Sequence, residues 1–142
     1  MLPLTKPKSV KARVLDKLTR NSFPGILCGI IILILTGLPG SLFPKVKPVI
    51  GLDKVVHLCM YAGFAFLCLW GYRSQYLSRD KAYRKKAVIL VALISVAYGG
   101  ITELIQEFLV PSRTGDWFDF LFDTVGVLLG LLAFHIFFDK KK

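Results

Sequence analysis

Four apolar runs divide this chain, and their length admits only one solvent. Residues 23–38, 55–72, 87–105 and 117–138 are almost free of charge, and they are separated by short stretches rich in Lys, Arg, Pro and Gly. A helix needs roughly 20 apolar residues to cross a hydrocarbon core about 30 Å thick. Inside that core every backbone N–H and C=O must be bonded within its own segment, so helix is the form expected for each run. The first is the shortest, about 24 Å at ~1.5 Å per residue. The 142 residues suit one domain, and a mean hydropathy of +0.59 excludes an ordinary soluble one. The reading is all-α, a four-transmembrane-helix bundle with N- and C-termini cytoplasmic.

Orientation comes from the basic residues. Four spans put both termini on one side, and of the 19 Lys and Arg only Lys45, Lys47, Lys54 and Arg113 fall on the other. A net charge of +10 would in a soluble protein point to nucleic acid. Here the cations sit in blocks between apolar runs, so topology and anionic lipid account for them and no nucleic-acid partner is expected. Residues 1–22 form the basic N-terminal segment, with Val10, Val14 and Leu18 at helical spacing. It fits either an amphipathic helix on the membrane surface or a solvated tail. Pro24 suits the first turn of the first span, Leu38-Pro39-Gly40 ends it, and Gly99-Gly100 loosens the third. The membrane domain covers 23–139, and 140–142 is a basic tail. Cys28, Cys59 and Cys68 lie in apolar runs without CxxC spacing, as small buried hydrophobes would.

Against this background the acids stand out. Of nine Asp and Glu, six (Asp53, Glu103, Glu107, Asp116, Asp119 and Asp123) fall at the same, outer ends of the spans. Residues three or four apart share a helix face. Asp53, His57 and Tyr61 therefore make one polar face, Glu103, Gln106 and Glu107 a second, and Asp116, Asp119 and Asp123 a third. Acids in a membrane are costly and mark functional sites by default, so the three faces are expected to meet. Arg113 is the first counter-charge expected for Asp116, Asp119 or Glu103, and Lys54 the second. Asp53 also suits a helix N-terminus, and Gly126 and Gly130 are spaced for close helix contact.

What the cluster does is open at this level. Buried ion pairs that fix helix packing would explain it. As an acid or base, Glu103 ranks first and Asp119 second, with His57 divided between a structural and a chemical role. Carboxylates beside one histidine suit Mg²⁺, Mn²⁺ or Zn²⁺. Without HExxH, a second nearby histidine or a dense carboxylate motif, however, no metal and no cofactor is expected. Ser112 and Thr114 beside Arg113 give nucleophilic catalysis only weak support. A proton path is disfavoured because, away from the cluster, only Thr36, Ser95 and His135 continue it inward.

The same residues carry a resemblance. Asp53-Lys54-x-x-His57 with Tyr61 resembles the D-K-x-x-H-x-x-x-Y segment of the VanZ-like family of small bacterial integral membrane proteins. Glu103-x-x-Gln106, then Arg113, then Asp119-x-x-x-Asp123-x-x-Gly126-x-x-x-Gly130 resembles its E-x-x-Q…R…D-x-x-x-N-x-x-G-x-x-x-G segment, with Asp123 in place of the asparagine. The resemblance implies a multi-pass protein of the bacterial plasma membrane, in a family with members linked to low-level resistance to teicoplanin-type glycopeptides. It brings no single reaction with it. The function expected is that of a cell-envelope protein whose outer pocket binds a lipid or lipid-linked cell-wall-precursor headgroup, or excludes a glycopeptide. The pocket would be lined by Asp53, Lys54, His57, Tyr61, Glu103, Gln106, Arg113, Asp116, Asp119 and Asp123. The alternative is a membrane-embedded hydrolase or transferase in which Arg113 holds an anionic group of a lipid-linked substrate.

Overall fold

The structure, a computed structural model, describes residues 10–39, 52–111, 113 and 115–138, with side chains from Arg20 onward. The extreme N-terminal tail, the connection around Pro44 and Pro48, Ser112, Thr114 and the C-terminal lysines lie outside the described residues.

Five helices make up the described chain: α1 (Val10–Gly37), α2 (Leu52–Gly71), α3 (Arg73–Ser78), α4 (Lys81–Leu109) and α5 (Trp117–Phe138). Among the described residues there is no strand. The four long helices contain stretches long and apolar enough to cross a membrane, Arg20–Gly37, Leu52–Gly71, Lys81–Leu109 and Trp117–Phe138. The expected all-α, four-span architecture is therefore present. α4, with 29 residues, is about 44 Å long at ~1.5 Å per residue, and it overhangs a ~30 Å hydrocarbon core.

Polarity is inverted relative to a water-soluble domain. Leu90, Leu93, Leu104, Phe108, Leu128 and Leu132 point outward, whereas Thr36, His57, Ser95, Thr102, Glu103, Gln106, Asp119 and Asp123 are buried. An apolar exterior around polar contacts is what lipid demands of a bundle. The apolar part of the interior joins Ile32 of α1, Tyr61, Phe64, Ala65 and Leu69 of α2, and Val127, Leu131 and Phe134 of α5. α2 and α5 are the most extensively packed pair. Their approach is set by two glycines: a Cβ on Gly126 would collide with the Leu58 carbonyl, and one on Gly130 with the Ala62 carbonyl.

Three details differ from the sequence reading. Pro24 lies inside α1, not in its first turn. The basic segment from Val10 and the first span form one helix, in which a proline forfeits one backbone hydrogen bond without ending the helix. Gly99-Gly100 does not interrupt α4; a Cβ on Gly99 would lie 3.3 Å from Asp123 Oδ2 and 3.4 Å from Tyr61 Cε1, so this glycine makes room for neighbouring helices. Cys28 and Cys68 are half-buried, but Cys59 is exposed on the outer face of α2; all three are free. Between the second and third spans stands the short α3, followed by Asp80, whose side chain caps α4 by accepting the Tyr83 N–H at 2.9 Å.

Candidate functional site

α2 and α5 begin, and α1 and α4 end, at the same end of the bundle. Helical periodicity then turns the polar faces of α2, α4 and α5 inward at that end. Asp53 lies in the first turn of α2 and Asp119 in the first turn of α5, where the helix dipole favours a carboxylate. Asp53 is exposed at the rim, and Asp119 is buried.

The rim is organised by Lys54. Its Nζ lies 2.8 Å from Asp119 Oδ1 and 3.0 Å from Asp116 Oδ2, so Lys54, the second of the two expected counter-charges, bridges these two acids. The reason is geometric: Lys54 stands on α2 one turn before His57, opposite the start of α5, within reach of a four-carbon stem. Arg113 sits in the α4–α5 connection, where its N–H donates to the Val110 carbonyl at 3.3 Å. Asp116 also accepts the Phe118 N–H at 2.9 Å. That backbone donor, followed by Lys54, holds its carboxyl below the usual carboxylate range.

Lys54→Met is expected to cost about 1–2 kcal/mol, between the ~0–1 of exposed pairs and the 3–5 of buried ones, because Lys54 and Asp116 are partly exposed. Thermal unfolding in detergent, compared with Lys54→Arg at low and high salt, measures it. Arginine restores most of the loss, and salt narrows the difference.

Two carboxylates of α4 hold the turn into α5. Glu107 Oε2 accepts the Gly115 N–H at 2.7 Å and Glu103 Oε2 accepts the Asp116 N–H at 3.0 Å. Deeper, His57 Nδ1 lies 3.0 Å from Asp123 Oδ1 and 3.7 Å from Glu103 Oε1. Below them the Thr102 hydroxyl donates to the Gly99 carbonyl at 2.8 Å, leaving Tyr61 to donate to Thr102 Oγ1 at 2.5 Å. Gln106 Nε2 donates to the Thr36 carbonyl at 3.5 Å.

Lys54, His57, Tyr61, Glu103, Gln106, Asp116, Asp119 and Asp123 thus converge, with Asp53 at the edge. Two further participants escaped the sequence reading. Thr102 is one helical turn from Gln106 on the inward face of α4, a spacing that would have marked it. Thr36 was assigned to the far half of the membrane; it stands in the last turn of α1, beside Gln106, because α1 ends where α2 begins.

Two openings flank this arrangement. Glu103, Glu107, Gly115, Asp116, Trp117 and Phe120 line a cleft of ≈ 620 Å³ between α4 and α5. In the other half of the bundle α1, α2 and α4 border a largely apolar groove of ≈ 720 Å³. Glu103 belongs to both cleft and interior, since its Oε2 bonds the turn and its Oε1 faces His57. Chemically the site offers hydrogen-bond acceptors in excess, which suits amines, hydroxyls, amides or a cation.

No curated protein and no solved structure gives a significant match to this chain. Residues 12–138 match the VanZ/LLP1 family, a stretch that takes in all four candidate spans and the whole polar cluster. The chain therefore belongs to the VanZ/LLP1 family, as a helical membrane protein with four candidate spans.

Proposed function

We propose that this protein lies in a bacterial plasma membrane with its termini in the cytoplasm. At the outer face it binds the headgroup of a lipid or a lipid-linked cell-wall precursor, and so alters susceptibility to teicoplanin-type glycopeptides. The supporting observation is the meeting of carboxyl-rich faces from α2, α4 and α5 beside a cleft of ≈ 620 Å³. Buried acids are costly in a membrane. Packing alone is served more cheaply by the small residues of the α2–α5 contact. The orientation rests on the cations, all but four of which flank the opposite ends of the spans. Trp117 and Phe118, exposed at the acidic end, suit the membrane–water boundary. A precursor headgroup carries the amines, hydroxyls and amides that such acceptors bind.

Removal of the gene is expected to lower the teicoplanin concentration that stops growth. The wild-type gene restores it, and Glu103→Gln at equal membrane abundance does not. Unchanged inhibition across all three strains rejects the reading.

One observation favours a hydrolase or transferase. His57 and Asp123 form a close pair, and Glu103 joins that pair to the cleft, an arrangement fit for proton transfer. A His57→Gln protein that inserts and still binds precursor, yet loses the growth effect, would favour catalysis over binding.

A further inference from the structure

We infer that His57, Glu103 and Asp123 form a binding site for one divalent transition cation of the zinc or manganese kind. The three come from three helices, α2, α4 and α5, and all are buried. Each offers a donor atom within 4.8 Å of the other two.

The distances are compatible with a metal, and hydrogen bonding alone leaves the cluster incomplete. A tetrahedral ion with arms of about 2.0–2.1 Å separates its ligand atoms by roughly 3.3–3.4 Å. His57 Nδ1 stands 3.0 Å from Asp123 Oδ1 and 3.7 Å from Glu103 Oε1, on either side of that value. A hydrogen bond from His57 to Asp123 accounts for one contact and leaves two acceptors unmet: Glu103 Oε1 and Asp123 Oδ2 are buried without a hydrogen-bond partner. Their residues are 8% and 0% exposed, so water does not satisfy these oxygens from the surface. Buried acceptors of this kind are rare unless something else binds them.

Charge leads to the same place. Lys54 is already engaged by Asp116 and Asp119. Two carboxylates with a neutral imidazole sum to −2, which a divalent cation cancels; a protonated His57 would cancel half. The donor set of one nitrogen and two carboxylates selects borderline ions over Ca²⁺ and over thiolate-seeking ones. Orientation is provided as well, because Glu103 Oε2 accepts the Asp116 N–H at 3.0 Å and thereby fixes its carboxylate from outside the ligand set. Three protein ligands leave a position for a fourth, and Glu103 is the member that also lines the cleft. Asp53, His57 and Asp119 form a second close group, but Asp53 is exposed and Asp119 is bound to Lys54 at 2.8 Å, so that group is the poorer host. The sequence reading expected no metal because ligands on three separate helices leave no local spacing to recognise.

The test uses the full chain, purified in detergent without a histidine tag, stripped with a chelator and titrated with Zn²⁺ against a chromophoric competitor. One equivalent is expected to bind, and Co²⁺ in its place gives the visible bands of a tetrahedral site. Asp123→Asn, which keeps the side chain's shape, and Glu103→Gln each lower Zn²⁺ affinity at least ~10–100-fold, whereas His135→Ala does not. Zn²⁺ raises the unfolding temperature of the wild type and not of Asp123→Asn. Because Glu103 also holds the α4–α5 turn, Asp123→Asn decides alone if Glu103→Gln fails to fold. Absence of binding by the wild type, or undiminished binding by folded Asp123→Asn, overturns the assignment. Metal affinity of the purified protein is read without any growth phenotype, so this result stands apart from the glycopeptide reading.

Discussion

Gly126→Leu and Gly130→Leu are each expected to prevent the bundle from assembling, while Gly63→Ala on the facing helix leaves it intact. In a bilayer the lipid tails are as apolar as the side chains, so helices associate through close packing and polar contacts, not by hydrophobic exclusion. α2 and α5 form the most extensive of those contacts, and they meet backbone to backbone. A Cβ on Gly126 would strike the Leu58 carbonyl, and one on Gly130 the Ala62 carbonyl. Neither obstacle is a side chain that can rotate away. Even alanine is expected to cost about 1–3 kcal/mol by forcing the helices apart. A leucine, three heavy atoms larger, removes the contact, against a total stability of about 5–15 kcal/mol for an ordinary domain. Gly63 has nothing within 4 Å of where its Cβ would be. Thermal unfolding in detergent and yield in the membrane fraction are the measurements. The alanine variants also report on the site, because Gly126 lies one turn from Asp123 and spreading α2 from α5 pulls Asp123 away from His57.

The spans were legible in the sequence for a simple reason. Hydrocarbon thickness fixes the length of a crossing segment and excludes charge from it, so hydropathy alone located four helices. Faces were legible too, since spacing of three and four puts Glu103, Gln106 and Glu107 on one side of α4 whatever that side touches. What could not be read was how the faces are rotated toward each other. Lys54 reaches Asp116 and Asp119 because α2 stands opposite the start of α5, a relation between helices that no spacing within either records. Backbone partners were hidden for the same reason, and Glu103 and Glu107 could not be seen accepting the N–H groups of Asp116 and Gly115. Thr36 stands in the last turn of α1, at the end where α2 begins, so its depth was legible from its position, but nothing within α1 records that it meets Gln106. Pro24 was given its most common role, and the continuity of the helix on both sides overrode that preference.

His57→Leu is expected to have the second large effect, and its size discriminates between two descriptions of the site. If His57 and Asp123 share only an ordinary interhelical hydrogen bond, the loss should be about 0.6 kcal/mol and no more than roughly 1.7, the range found for polar contacts in membrane bundles. If His57 offsets a buried carboxylate, its removal strands that charge, and the loss rises to about 3–5 kcal/mol. The second outcome is expected. Asp123 is fully buried, its Oδ1 faces His57 Nδ1 at 3.0 Å, and its Oδ2 has no hydrogen-bond partner to share the charge. Glu103 Oε1, 3.7 Å from the same ring nitrogen, adds like charge. Adding Asp123→Asn to His57→Leu should then recover most of the loss, since an amide left without its partner is far cheaper to bury than a carboxylate. A double-mutant cycle on metal-free protein, read by unfolding in detergent, gives the coupling directly. A coupling below ~1 kcal/mol would mean the pair is only a packing contact; a value near 3 kcal/mol, the upper end for interacting residues, would mean Asp123 is held as an anion.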